Sequence, residues 1–130
     1  MYTNLYSMRE LLKKHHISFK NALSGIFWAI KTQPNFRVHL TLSFTALILG
    51  KSLSLDSGEM IIIIFTIILG LSAEMINTSI ESMTDLITRE WRQEAKIAKD
   101  VSAGMMLLVA TGAMLVAIII FIPHLARLIR

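Results

Sequence analysis

The chain has no cysteine, so disulfides are excluded and cysteine usage says nothing about redox compartment. Proline is scarce at two residues, and only 17% of the 130 residues are charged. Residues 60–73 and 101–123 carry no charge. No N-terminal signal peptide is expected, because the first 37 residues are charged and lack an apolar core before a small-residue cleavage site. What remains is apolar: 54% hydrophobic residues and a mean hydropathy of +0.60. That is too oily for an ordinary soluble domain, and the length allows a single domain spanning residues 1–130. The expected class is an all-α integral membrane protein.

The net charge of +4 does not point to nucleic acid, because no aromatic-rich basic groove is present. Its distribution has a simpler meaning. Six of the 13 basic residues lie in residues 1–37 (Arg9, Lys13, Lys14, Lys20, Lys31 and Arg37), and four lie in 89–99 (Arg89, Arg92, Lys96 and Lys99). Placing both segments in the cytoplasm leaves three outside (Lys51, Arg127 and Arg130). Three spans with the C-terminus outside satisfy that arrangement.

Residues 8–32 place Leu12, Phe19, Leu23, Ile26, Phe27 and Ile30 at helical spacing, with Lys13, Lys14, Lys20, Asn21, Ser24 and Lys31 on other faces. An amphipathic helix in the headgroup plane is expected there, anchored by Trp28. Pro34 then breaks it. The first span is expected over 36–55, with Arg37 and Lys51 reaching opposite interfaces. Residues 54–59, "SLDSGE", read as a polar turn outside. The second span is expected over 60–88, which at 1.5 Å per residue projects past the bilayer at one end. Residues 89–99 read as a cytoplasmic connection, itself expected to be helical, and 101–122 as the third span. Small residues from Ser102 to Ala117 suit close helix packing.

Against that background the acids of "GLSAEMINTSIESMTDL" (70–86) need a reason, since an ionisable group in a span is costly. Glu74, Asn77, Glu81 and Asp85 are spaced +3, +4 and +4, which places them on one helical face over about 16 Å. Asn77 also suits interhelical hydrogen bonding, and Asp85 also suits a solvated helix end. Glu74 and Glu81 have no buried base to pair with in the spans. Lys99 and Asp100 lie at the same membrane face; Lys99 also suits a snorkelling anchor and Asp100 the N-cap of the third helix. Acids beside a lysine at a cytoplasmic interface suit a metal-nucleotide site, carboxylates holding Mg²⁺ and the cation steadying phosphate oxygens. His15, His16, His39 and His124 lack metal-ligand spacing and read as interfacial, and the eight methionines as packing.

"AEMINTSIESMTD", followed by "AKD" at 98–100, resembles the signatures of the small prokaryotic diacylglycerol kinase family, which includes undecaprenol kinases. "FKNALSGIFWAI" (19–30) and "NFRVH" (35–39) are similar to its N-terminal pattern, so the likeness covers about residues 15–122. The resemblance implies a homotrimer of three-span subunits with a surface helix and active sites shared between neighbours. It implies transfer of the γ-phosphate of MgATP to the hydroxyl of a membrane lipid, at the cytoplasmic face of a bacterial inner or plasma membrane. Carried over by position, Glu74 is the general base and Glu81 a Mg²⁺ ligand, with Asn77 and Asp85 in support. Lys99 and Asp100 then contact the nucleotide, together with Glu90, Trp91 and Arg92. One position departs from the pattern: the family's second metal-ligating glutamate is replaced by Gln33, whose amide oxygen coordinates without charge. "NFRVH" and "NTSIE" lean toward the undecaprenol branch. The competing readings are a small ion-coupled transporter, which leaves Lys99 and Asp100 unexplained, and an inactive relative, which Gln33 favours.

Overall fold

In the computed structural model, residues 8–129 are described, and they form four α-helices. The side chains of Arg9 and Lys14 and all of Arg130, which enter the charge distribution above, lie outside the described residues. Two compact units divide the chain at Gln33–Pro34.

The first unit holds α1 (Met8–Thr32), with the limits its apolar spacing predicts. Leu12, Phe19 and Phe27 on its apolar side are exposed within the unit. The helix closes where Thr32 Oγ1 donates to the Trp28 carbonyl (2.8 Å) and the Gln33 N–H donates to the Ala29 carbonyl (2.9 Å). Gln33 alone separates it from the next helix, because the residue before a proline is pushed out of helical conformation.

The second unit holds α2 (Pro34–Ser52), α3 (Ser57–Ile87) and α4 (Gln93–Leu128), with α3 packed against both others. Pro34 opens α2 at a position where a missing N–H costs nothing. The first span was expected to reach residue 55, but α2 stops at Ser52. There Leu55 N–H bonds back to the Gly50 carbonyl (3.0 Å) and Ser54 N–H to the Lys51 carbonyl (3.2 Å), with Ser54 in the left-handed region at φ 55°. Gly50 lets this turn close, since a Cβ there would meet Met60 Cε at 2.9 Å and Leu55 Cδ1 at 3.0 Å.

The polar turn expected over 54–59 is correspondingly shorter, because Asp56 caps α3. Its Oδ1 accepts from Glu59 N–H (2.9 Å) while Glu59 Oε2 accepts from Asp56 N–H (3.0 Å), a reciprocal capping box. Helix α3 therefore starts at Ser57 and runs 31 residues, about 46 Å. At the other end of the chain α4 is longer still, at 36 residues. The connection read at 89–99 is helical from Gln93, as expected, and continuous with α4, which leaves Thr88–Arg92 as the non-helical link; Gln93, Glu94, Ala95 and Lys96 are good helix formers. Asp100 accordingly lies inside the helix and is no N-cap; Arg92 holds that position without a side-chain cap bond. Inside α4 Pro123 offers no N–H, and the adjacent His124 Nδ1 lies 2.9 Å from the Ile120 carbonyl. His124 Nε2 lies 3.4 Å from Glu59 Oε2, tying the C-terminal part of α4 to the start of α3.

Helices α3 and α4 are each long and apolar enough to cross a membrane. Their apolar stretches are only 17% and 11% buried within the chain, so they are not the core helices of a water-soluble fold. Phe65, Leu108 and Ile119 stand exposed on them, as lipid or another helix would allow. Helix α2, carrying Arg37, His39 and Lys51 in 19 residues, does not reach that level of apolarity.

Candidate active site on α3 and α4

The acid stripe stays helical throughout, so its spacing becomes real proximity. Glu74 is 3% exposed and Asn77 7%, the most buried ionisable and amide groups among the described residues. Thr78, Thr84 and Ser102 are buried beside them in α3 and α4. Asn77 Nδ2 donates to Glu81 Oε1 at 3.1 Å. Because a carboxylate only accepts, that bond fixes which way the amide points. Asn77 Oδ1 is left buried with no partner among the described residues. Such an oxygen is costly unless something binds it. Beside a carboxylate it makes an all-oxygen donor pair of the kind Mg²⁺ accepts.

One turn further on, Lys99 Nζ of α4 donates to Asp85 Oδ1 of α3, joining the C-terminal end of α3 to the N-terminal part of α4. Both groups are more than a third exposed, so the pair remains open to an incoming anion. Ser102, one turn along α4, donates from Oγ to the Lys99 carbonyl (2.9 Å). Asp100 does not join Asp85; it accepts from Lys96 on its own helix. Arg92 Nη2 bonds Glu90 Oε2 at 3.1 Å on the surface, and Trp91 is exposed. A cleft of about 490 Å³ lies between the end of α3 and the start of α4, lined by Thr84, Thr88, Arg92 and Ala98. Gln33 belongs to the first unit, where its Nε2 donates to Thr32 Oγ1 (3.3 Å).

The expected set thus separates into buried Glu74 and Asn77 with half-buried Glu81, Asp85 with Lys99 bridging two helices, and Glu90, Trp91, Arg92 and Asp100 on open surface. No group of three or more His, Cys, Asp or Glu side chains that could hold a metal ion occurs among the described residues. One residue was not anticipated. Thr84 is buried with its Oγ1 donating to the Ile80 carbonyl (2.7 Å), and its place beside Asp85 on the stripe was the available signal.

The prokaryotic diacylglycerol kinase family, as a sequence pattern, matches residues 20–121. The chain belongs to this family. It is 34% identical over 113 residues to a diacylglycerol kinase of Synechocystis sp., covering 86% of this chain and 65% of that protein. It is 36% identical over 118 residues to an undecaprenol kinase of Bacillus subtilis, covering 90% of this chain and 95% of that one. The chain therefore spans just under two thirds of the cyanobacterial relative and nearly the whole of the Bacillus family member.

Proposed function

We propose that the protein is a lipid kinase of the membrane, transferring the γ-phosphate of MgATP to the hydroxyl of undecaprenol or diacylglycerol. The observation that carries this reading is Glu74, an acid almost wholly buried on the helix face that leads to Glu81, Asp85 and Lys99. The two relatives, a diacylglycerol kinase and an undecaprenol kinase, support a lipid alcohol as acceptor. The longer coverage of the Bacillus protein favours undecaprenol, in keeping with "NFRVH" and "NTSIE".

In this mechanism Glu74 accepts the proton of the lipid hydroxyl, in poorly hydrated surroundings that make a carboxylate a stronger base. Glu81 would hold Mg²⁺, with Asn77 Oδ1 in support and Gln33 as the uncharged second ligand. The ion supplies charge neutralisation on the phosphates. Lys99, drawn from Asp85, steadies phosphate oxygens, while Asp100, Glu90, Trp91 and Arg92 contact the nucleotide. Exposed Trp91 and the uncovered apolar faces of α3 and α4 suit a homotrimer whose neighbours share each site. Three spans with a cytoplasmic N-terminus, and α1 lying on the membrane surface, put that site at the cytoplasmic face. An assay of the purified protein with [γ-³²P]ATP, Mg²⁺ and each alcohol in turn tests the reading. Radiolabelled lipid phosphate supports it; no labelled lipid with either alcohol under any divalent metal overturns it.

A further inference from the structure

Threonines inside α2, α3 and α4 share one habit. Thr41, Thr45, Thr66, Thr84 and Thr111 each donate from Oγ1 to the carbonyl one turn back, at 2.7–3.0 Å. Thr78 departs from it. Its hydroxyl makes no hydrogen bond among the described residues, although the residue is only 8% exposed. A buried hydroxyl without a partner is costly unless something comes to it.

Its place on α3 indicates what comes. At about 100° per residue, and with Glu74 as zero, Glu81 lies at about −20°, Asp85 at about +20° and Thr78 at about +40°, nearer the line of acids than Asn77 at about −60°. Along the axis Thr78 stands about 6 Å beyond Glu74 and about 4.5 Å short of Glu81. The carboxylates and Asn77 Oδ1 are acceptors, Asn77 Nδ2 is engaged by Glu81, and Lys99 by Asp85. Thr78 is thus the donor group on the stripe that has no partner among the described residues. A phosphoryl group brings oxygens that only accept, and a row of acceptors alone repels it.

We propose that Thr78 is a further catalytic residue, whose hydroxyl donates to an oxygen of the phosphoryl group as that group passes from nucleotide to lipid. The inference rests on the lipid-kinase reading and adds a donor to the acids already placed there. The lipid O–H bond breaks and its proton passes to a Glu74 oxygen. The lipid oxygen bonds to phosphorus, and the electron pair of the broken P–O bond leaves on the nucleoside diphosphate. Thr78 keeps its own proton throughout. Held between Glu74 and Glu81 in poorly hydrated surroundings, its hydrogen bond acts on the group in transit, where a preplaced donor counts most.

The test uses the full chain in bilayer vesicles with MgATP and each alcohol. Thr78→Val keeps the side-chain shape and removes the hydroxyl; it should lower kcat about 10²- to 10³-fold with KM for ATP and for the alcohol within about twofold. Thr78→Ser should recover most of the rate. Ser79→Ala, which removes a hydroxyl already bonded to the Met75 carbonyl (2.8 Å), should keep the parent rate. Binding gives a readout apart from turnover. With the alcohol present, Thr78→Val should weaken ADP–aluminium fluoride, a mimic of the group in transit, at least about tenfold and leave the affinity for ADP unchanged. The Tm should not fall, since a methyl replaces an unpartnered hydroxyl. Parent kcat in Thr78→Val overturns the inference and leaves the kinase reading standing. So does a raised KM for the alcohol at unchanged kcat, which makes the hydroxyl a contact of the bound lipid only, or a lower Tm with ADP–aluminium fluoride bound as by the parent. If the unaltered protein phosphorylates neither alcohol, the kinase reading itself fails, and the inference with it.

Discussion

Lys99, six residues past the start of α4, reaches across to Asp85 near the end of α3, 14 positions earlier in the chain. The pair holds a lysine at the end of the acid stripe. In the proposed reaction Asp85 competes with phosphate for that lysine and also aims it.

Asp85→Asn should therefore separate stability from activity. The pair is well exposed, so its loss should cost no more than about 1 kcal/mol of stability. KM for ATP should rise severalfold, with a shallower dependence on ionic strength, because an exposed pair is screened by salt. Thermal denaturation in detergent and initial rates against ATP measure both. A large drop in Tm with unchanged KM would assign Asp85 a purely structural role.

Gln33 gives a second prediction. A neutral amide coordinates Mg²⁺ without offsetting its charge, so Gln33→Glu should lower the Mg²⁺ concentration for half-maximal rate, by roughly tenfold if the added charge contributes about 1.4 kcal/mol. A titration of rate against free Mg²⁺ checks this. An unchanged midpoint removes Gln33 from the metal site.

The α2–α3 turn supplies a pair of opposite effects on stability. Ser54 is the only non-glycine residue with positive φ among the described residues, so Ser54→Gly should stabilise by about 1 kcal/mol. Asp56→Ala removes the capping box of α3 and should destabilise by about 1 kcal/mol. Thermal or denaturant unfolding of both variants gives the signs directly, and two shifts in the same direction would contradict the turn described.

How much of this was legible beforehand depended on the range of the interaction. The limits of α1 and the shared face of Glu74, Asn77, Glu81 and Asp85 follow from helical spacing alone, and both were readable. The helical character of "REWRQEAKIAK" was readable, and α4 indeed runs from Gln93, but its charges hid that this helix is continuous with the third span. The same error made Asp100 look like an N-cap. The early stop of α2 was hidden because a serine, not the usual glycine, takes the left-handed position.

The most direct test of the account is the rate of lipid phosphorylation by Glu74→Gln beside the unaltered protein, with ATP binding followed in parallel. Removing the base should lower kcat by about 10²- to 10⁴-fold, while nucleotide affinity and the Tm stay near those of the parent. A variant that phosphorylates undecaprenol or diacylglycerol at the parent rate would contradict the central claim that the buried acid of α3 takes the hydroxyl proton.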